Sequence, residues 1–146
     1  MPNGIYTNSQ TTETQTGAAN TDTPLIAGGG WNVLAGGLAA DNCLIWRAEF
    51  DGTGTASFQI EGVDILLDPW AIYGIQVIAQ LEVWRDSNTT ALVRPWFGQG
   101  GGNEALIPGG RFNVSGLNWQ QGQTFQIVGT STTAGGLALQ RAGIIR

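Results

Sequence analysis

From residue 43 onward, hydrophobic and polar positions alternate in short runs. Within residues 55–61, Ala56, Phe58 and Ile60 fall on one side, and Ser57, Gln59 and Glu61 on the other. A period of two marks a strand with one buried face. Residues 43–51 place Leu44, Trp46, Ala48 and Phe50 together in the same way. The intervening Asp51-Gly52-Thr53-Gly54 predicts a hairpin turn joining two strands. Residues 75–85 align Val77, Ala79, Leu81 and Val83. A helix could carry that run, but its β-branched and aromatic content favours a strand. Asp86-Ser87-Asn88 reads as a turn. Residues 89–97 follow as a strand in which Pro95, lacking an N–H, predicts an edge or bulge. A glycine-rich loop spans 98–110, and residues 112–114, 123–129 and 137–145 read as the last three strands. Short strands, Gly/Asn/Asp turns and no convincing helix predict an all-β antiparallel sandwich or barrel.

Residues 1–24 break this pattern. The stretch 7–23 is nearly all Thr, Asn, Gln, Ser, Gly and Ala. Such a segment buries too little apolar surface to offset its ordering entropy. Two readings are open: a disordered tail, or an extended polar arm that orders on a partner with Ile5 and Tyr6 as its apolar anchors. The domain proper then covers residues 25–146.

Composition narrows the function classes. Only 12% of residues are charged, against 42% hydrophobic and 23 glycines. The net charge is −5, and the six basic residues (Arg47, Arg85, Arg94, Arg111, Arg141 and Arg146) are scattered. That leaves no basic stripe for nucleic acid and disfavours an anionic membrane surface. The absence of histidine removes Ser-His-Asp and Cys-His catalysis and His-ligated zinc. The single Cys43 has no intrachain partner and reads as a buried free thiol. The N-terminus lacks the basic and apolar regions of a secretory signal, which implies synthesis in a cytoplasm. A weakly charged surface suits a protein covered by neighbours in an assembly.

Candidate chemistry is sparse. The loop GQGGGNEALIPGG has glycines but no helix and no Lys-Ser/Thr after it, so it fails as a phosphate cradle. Glu61, Asp64 and Asp68 lie close in sequence and could serve calcium binding or glycosidase chemistry. Apolar residues separate them, and Asp68-Pro69 reads as a turn. No catalytic, cofactor or metal residue is therefore expected. Six tryptophans remain. Trp46 shares the core face of its strand, whereas Trp84 falls opposite Val77, Ala79 and Leu81. Trp70, Trp96 and Trp119 flank turns or loops, where interface, core and ligand-platform roles all stay open.

Three stretches carry a resemblance. CLIWRAEFDGTGTASFQIEGVDILL (43–67) resembles the paired strands of virion jelly-roll domains. WAIYGIQVIAQLEVWRDSNTTALVRPWF (70–97) resembles their next long hairpin, and QTFQIVGTSTTAGGLALQRAGIIR (123–146) their closing one. Such domains occur in tailed-bacteriophage appendages and head decoration (cement) proteins, commonly as homotrimers. The resemblance implies a β-sandwich of jelly-roll type with an extended N-terminal arm. It implies a structural, non-enzymatic protein on the outer surface of the capsid, tying subunits of the major capsid protein together. A receptor- or carbohydrate-binding knob is the alternative, and a non-viral oligomeric β-sandwich a third reading. On the decoration reading, Ile5 and Tyr6 anchor the arm on the capsid. Trp84, Trp96, Leu137, Leu139 and Ile145 form the oligomer interface.

Overall fold

The alternating runs become strands, and two of them are far longer than the turn signals suggest. The computed structural model describes residues 5–7, 14–33, 42–66, 69–98, 107–108 and 110–145. The strands are β1 (Ile5–Thr7), β2 (Thr14–Gln15), β3 (Thr23–Pro24), β4 (Trp31–Val33), β5 (Cys43–Ile60), β6 (Val63–Asp64), β7 (Trp70–Arg85), β8 (Ala91–Gly98), β9 (Ile107–Pro108), β10 (Phe112–Val114), β11 (Gln123–Thr130) and β12 (Leu137–Ile145). Every pairing among them is antiparallel. One 3-10 turn, Ala27–Gly29, is the sole helical element among the described residues.

β5 and β7 form the spine. They pair from Cys43↔Trp84 to Ala56↔Trp70. On its other edge β5 is shared by β12, which covers residues 45–52, and β11, which covers residues 55–60. β8 flanks only the C-terminal half of β7, from Ile78↔Gly98 to Arg85↔Ala91. The path across the sheet is β1-β12-β5-β7-β8-β10. Pro95 lies between the part of β8 paired with β10 and the part paired with β9. Its missing donor therefore costs no ladder bond at that edge.

The spine folds back on itself. Trp46 and Phe58 lie on the same strand twelve positions apart, about 40 Å if β5 ran straight. Their ring centroids are 5.0 Å apart, edge to face. β5 must turn sharply between them, and the segment that turns is Asp51–Gly54. The expected hairpin is thus a corner within one continuous strand. Gly52 has φ +112, and a Cβ there would run into the Gly136 carbonyl oxygen. A Cβ on Gly54 would meet the Thr130 carbonyl oxygen. The glycines allow the β11–β12 connection to press against the corner, where Thr53 N–H donates to Gly136 O at 2.8 Å.

Folding the sheet at this corner makes the all-β antiparallel sandwich. One layer holds β12, the first half of β5, the second half of β7, β8 and β10. The other holds the rest of β5 and β7 with β11, β3 and β4. Between them Trp46, Phe50, Phe58 and Phe125 are fully buried, with Trp46 and Phe125 also 5.0 Å apart. Leu44, Ala48, Ala56, Ile60, Val77, Ala79, Leu81 and Val83 complete the inward faces that the alternation predicts. Trp31 and Trp119 are core residues as well. The Trp119 indole N–H donates to Thr90 O at 3.1 Å, so its polar edge is satisfied.

Candidate functional site

Side chains that point away from the core on the β12–β5–β7–β8 layer fall in cross-strand rows. Cys43, Trp84 and Leu92 make one row, Ile45, Glu82 and Arg94 the next, and Arg47, Gln80 and Trp96 a third. Neighbours in such rows shield one another, and Cys43, Ile45, Trp84, Leu92 and Trp96 are all half-buried. The Trp84 indole N–H donates to a Glu82 carboxylate oxygen at 3.2 Å. The Arg94 guanidinium carbon lies 6.0 Å from the centre of the Trp96 ring, a cation–π contact. Both aromatics are fixed yet keep an outward surface.

The other residues expected at an interface divide differently. Leu137 and Leu139 are fully buried in the chain's own core and offer a neighbour no side-chain surface. The cause is the pleat: they stand opposite Gly52 and Phe50 and point inward. A bulge at Gln140 then shifts the parity of β12, so the next inward positions are Ala142 and Ile144 rather than odd-numbered residues. Ile145 pairs with Ile45 on one side and Ile5 on the other. The backbone of the arm residues Ile5 and Tyr6 belongs to β1, which lies on β12 of the same chain.

Much of the arm is bonded to its own body. β2 pairs with β12 through Ala138↔Gln15, and β3 with β11 through Val128↔Pro24. Thr16 N–H donates to Leu137 O at 2.9 Å, and Asn20 N–H to Ser131 O at 2.7 Å. Thr16 is buried. Residues 14–24 therefore close the sandwich over the 131–136 loop and form part of the fold. Polar residues achieve this through main-chain bonds that their composition does not reveal.

A feature without an advance signal lies where β7 turns the corner. Gly74 has φ +124 and Gln76 φ +52, and the register slips between the Phe50 and Gly52 pairings. The bulge reverses the inward parity of β7, from Ile72 before it to Val77 after it. Tyr73 and Ile75 are left 77% and 65% exposed, the large hydrophobic side chains that stand out on the described surface. The Asp51 carboxylate holds the bulge, accepting from Gln76 N–H at 2.7 Å and from the Gln140 amide at 3.1 Å.

The two described acids of the cluster, Glu61 and Asp64, bond to different partners. Glu61 accepts from Thr124 N–H at 2.6 Å, and Asp64 from the Gln59 amide at 2.9 Å; Asp68 lies outside the described residues. Glu61 ties the end of β5 to β11, and Asp64 links β6 to its partner residue on β5. No group of three metal-ligating side chains occurs among the described residues. Cys43 is pushed up to about 11 by burial and by the Glu82 charge, so its thiol is protonated and unreactive at neutral pH. A shallow hollow of about 230 Å³ is bordered by Trp84, Arg85, Asp86 and Leu92. No family model, curated protein or solved structure matches the chain. The site therefore stands on its chemistry alone: an outer face where Trp84, Leu92, Ile45 and Trp96 alternate with Arg47, Glu82 and Arg94, and a projecting corner.

Proposed function

We propose that the chain is a structural virion protein of the capsid-decoration type. In this reading it is a homotrimer that clamps neighbouring subunits of the major capsid protein from outside, without enzymatic activity or cofactor. The observation that carries the reading is the outer face bearing Trp84 and Trp96. Half-buried tryptophans beside Leu92 and Ile45 supply the large aromatic area that concentrates at interfaces. Charged groups lie between them, but two are engaged by the indoles themselves: Glu82 accepts from the Trp84 N–H and Arg94 sits over the Trp96 ring. A clamp of several copies gains avidity from individually modest contacts.

Light scattering after size-exclusion chromatography tests the oligomer. The expected mass is about 46 kDa, three times the 15.4 kDa chain, and Trp84→Asp reduces it to that of one chain. Co-sedimentation with assembled shells then tests the partner. Removing residues 2–13 should weaken shell binding and leave the oligomer intact. The cut removes β1 from the edge of β12 and spares β2 and β3, whose bonds close the sandwich over the 131–136 loop. A one-chain mass together with no shell binding refutes the proposal.

The hollow at Trp84, Arg85, Asp86 and Leu92 favours a second reading, a carbohydrate-binding knob. An indole face with flanking polar groups suits a sugar ring. Glycan binding that Trp84→Ala abolishes, with no shell binding, would select it.

A further inference from the structure

Among the described residues, Thr16, Gln123 and Ser131 are polar and buried. Thr16 and Ser131 are served by the main chain. The Ser131 hydroxyl donates to Thr53 O at 2.8 Å, and the Thr16 hydroxyl accepts from Leu137 N–H at 3.4 Å. Gln123 is 1% exposed, yet neither its amide nitrogen nor its amide oxygen has a hydrogen-bond partner among the described residues. It stands on the inward face of β11 with Phe125 and Ile127, opposite Val33 of β4. The Trp46 indole N–H is in the same position, fully buried and with no acceptor among the described residues. The indoles of Trp119 and Trp84, by contrast, donate to Thr90 O and to Glu82. A buried donor or acceptor left dry forfeits the bonds it makes to water in the unfolded chain. Native interiors satisfy nearly all such groups, with protein or with ordered water.

The two groups face the same core from opposite layers. Trp46 belongs to the first half of β5, and Gln123 to β11. The Trp46 ring lies 5.0 Å from that of Phe125. Gln123 is two residues from Phe125 on the same face, about 7 Å along the strand. A water bonded on both sides at roughly 2.8–3.0 Å spans groups about 5–6 Å apart. We propose that Trp46 and Gln123 form a buried hydration site. An internal water there accepts from the Trp46 indole N–H and donates to the Gln123 amide oxygen, and the Gln123 amide N–H donates to a further water of the same site. An indole supplies a donor only, and a glutamine amide supplies both donors and an acceptor. Together they give the two to four polar partners that an internal water needs, whereas purely apolar cavities stay dry. Phe125 pairs with Ile60, the last residue of β5, so Gln123 lies beyond it, away from the Asp51–Gly54 corner. The water therefore cross-links the two layers at the end of the core that the corner does not join. That is the use of a glutamine at an inward position where the alternation calls for an apolar residue. The inference concerns the core and is independent of the capsid reading.

Nuclear magnetic resonance of the full chain, isotope-labelled at the tryptophan indole nitrogens, tests it. The Trp46 signal is assigned through its contacts with Phe58 and Phe125. Its N–H should show a dipolar cross-peak to a long-lived water. The Trp119 indole, bonded to Thr90 O, is the internal control and should show none. Gln123→Met conserves volume and removes both amide atoms. With the bridge in place, this variant loses the Trp46 cross-peak and leaves the indole unpaired. Its folding equilibrium constant in urea unfolding then falls at least about fivefold. A dry core gives the opposite sign, because an apolar side chain replaces a partnerless amide and stability rises. A wild-type Trp46 without the cross-peak overturns the proposal. So does a cross-peak that survives in Gln123→Met, or a gain of stability in that variant. Circular dichroism reports whether the variant is folded; if it is not, the wild-type comparison of Trp46 with Trp119 decides alone. Neither readout involves solution mass or shell binding, so failure here is distinguishable from failure of the decoration reading.

Discussion

Gly52→Ala is the sharpest probe of how this sheet folds over. At φ +112 any Cβ is strained, which costs about 1–2 kcal/mol. The added methyl would also collide with the Gly136 carbonyl and lie 3.1 Å from Leu137 Cα. Every atom it meets is backbone, so no flexible side chain can swing aside. Overpacking of that kind costs about 1–3 kcal/mol. The struck oxygen accepts the Thr53 N–H bond, worth about 1 kcal/mol. The expected loss is therefore about 3–6 kcal/mol, a large part of the roughly 5–15 kcal/mol that holds a domain. Gly62→Ala is the matched control. Gly62 also has positive φ, +75, but a Cβ there meets nothing within 4 Å, so only the strain of about 1–2 kcal/mol applies. Urea unfolding followed by tryptophan fluorescence measures both, and the difference should shift the melting temperature by at least about 4 °C. If Gly52→Ala costs no more than Gly62→Ala, the corner is not a close approach and the account of the fold-over fails.

Phe58→Ala should destabilise by about 3–5 kcal/mol, because it removes the ring that meets Trp46 and Phe50 across the core; a loss under 1 kcal/mol in the same urea assay would contradict the two-layer packing. Asp51→Ala should cost about 1 kcal/mol by freeing the bulge amide of Gln76, and amide exchange at Gln76 should speed up while that of buried strands does not. Thiol alkylation of Cys43 at pH 8 should be slow in the folded protein and should climb as pH approaches 11, because the raised pKa leaves little thiolate below it; reaction at pH 8 as fast as in urea would refute the raised pKa of this half-buried thiol. Trp96→Ala should lower the oligomer mass with little change in monomer stability, since that ring is only half-buried in its own chain; a cooperative loss of the whole fold would place it in the core instead.

The alternation of hydrophobic and polar residues determined the class of this protein. Leu44, Trp46, Ala48 and Phe50, then Ala56, Phe58 and Ile60, were legible as inward faces because pleating imposes a period of two whatever the partner strand is. Glycine content marked the corner but not its nature. A hairpin and a bend in one strand both need residues that tolerate unusual φ, so Asp51–Gly54 looked like a turn until the pairing of β7 across it was known. Local sequence could not reveal the bulges at Gln76 and Gln140, since each depends on what the facing strand offers. Those two insertions reversed parity, turned Ile75 outward and made Ile144 the inward residue near the C-terminus. Leu137 and Leu139, ahead of the second bulge, face the core, while Trp84 and Trp96 fall opposite the inward positions of their own strands. Composition also leaves open how the polar N-terminal stretch is held, because it reports side chains, whereas residues 14–24 are held by main-chain hydrogen bonds to β11 and β12. Sequence alone determined which residues prefer burial. The pairing of strands distant in the chain decided which of them face inward, and that pairing exists only in the tertiary structure.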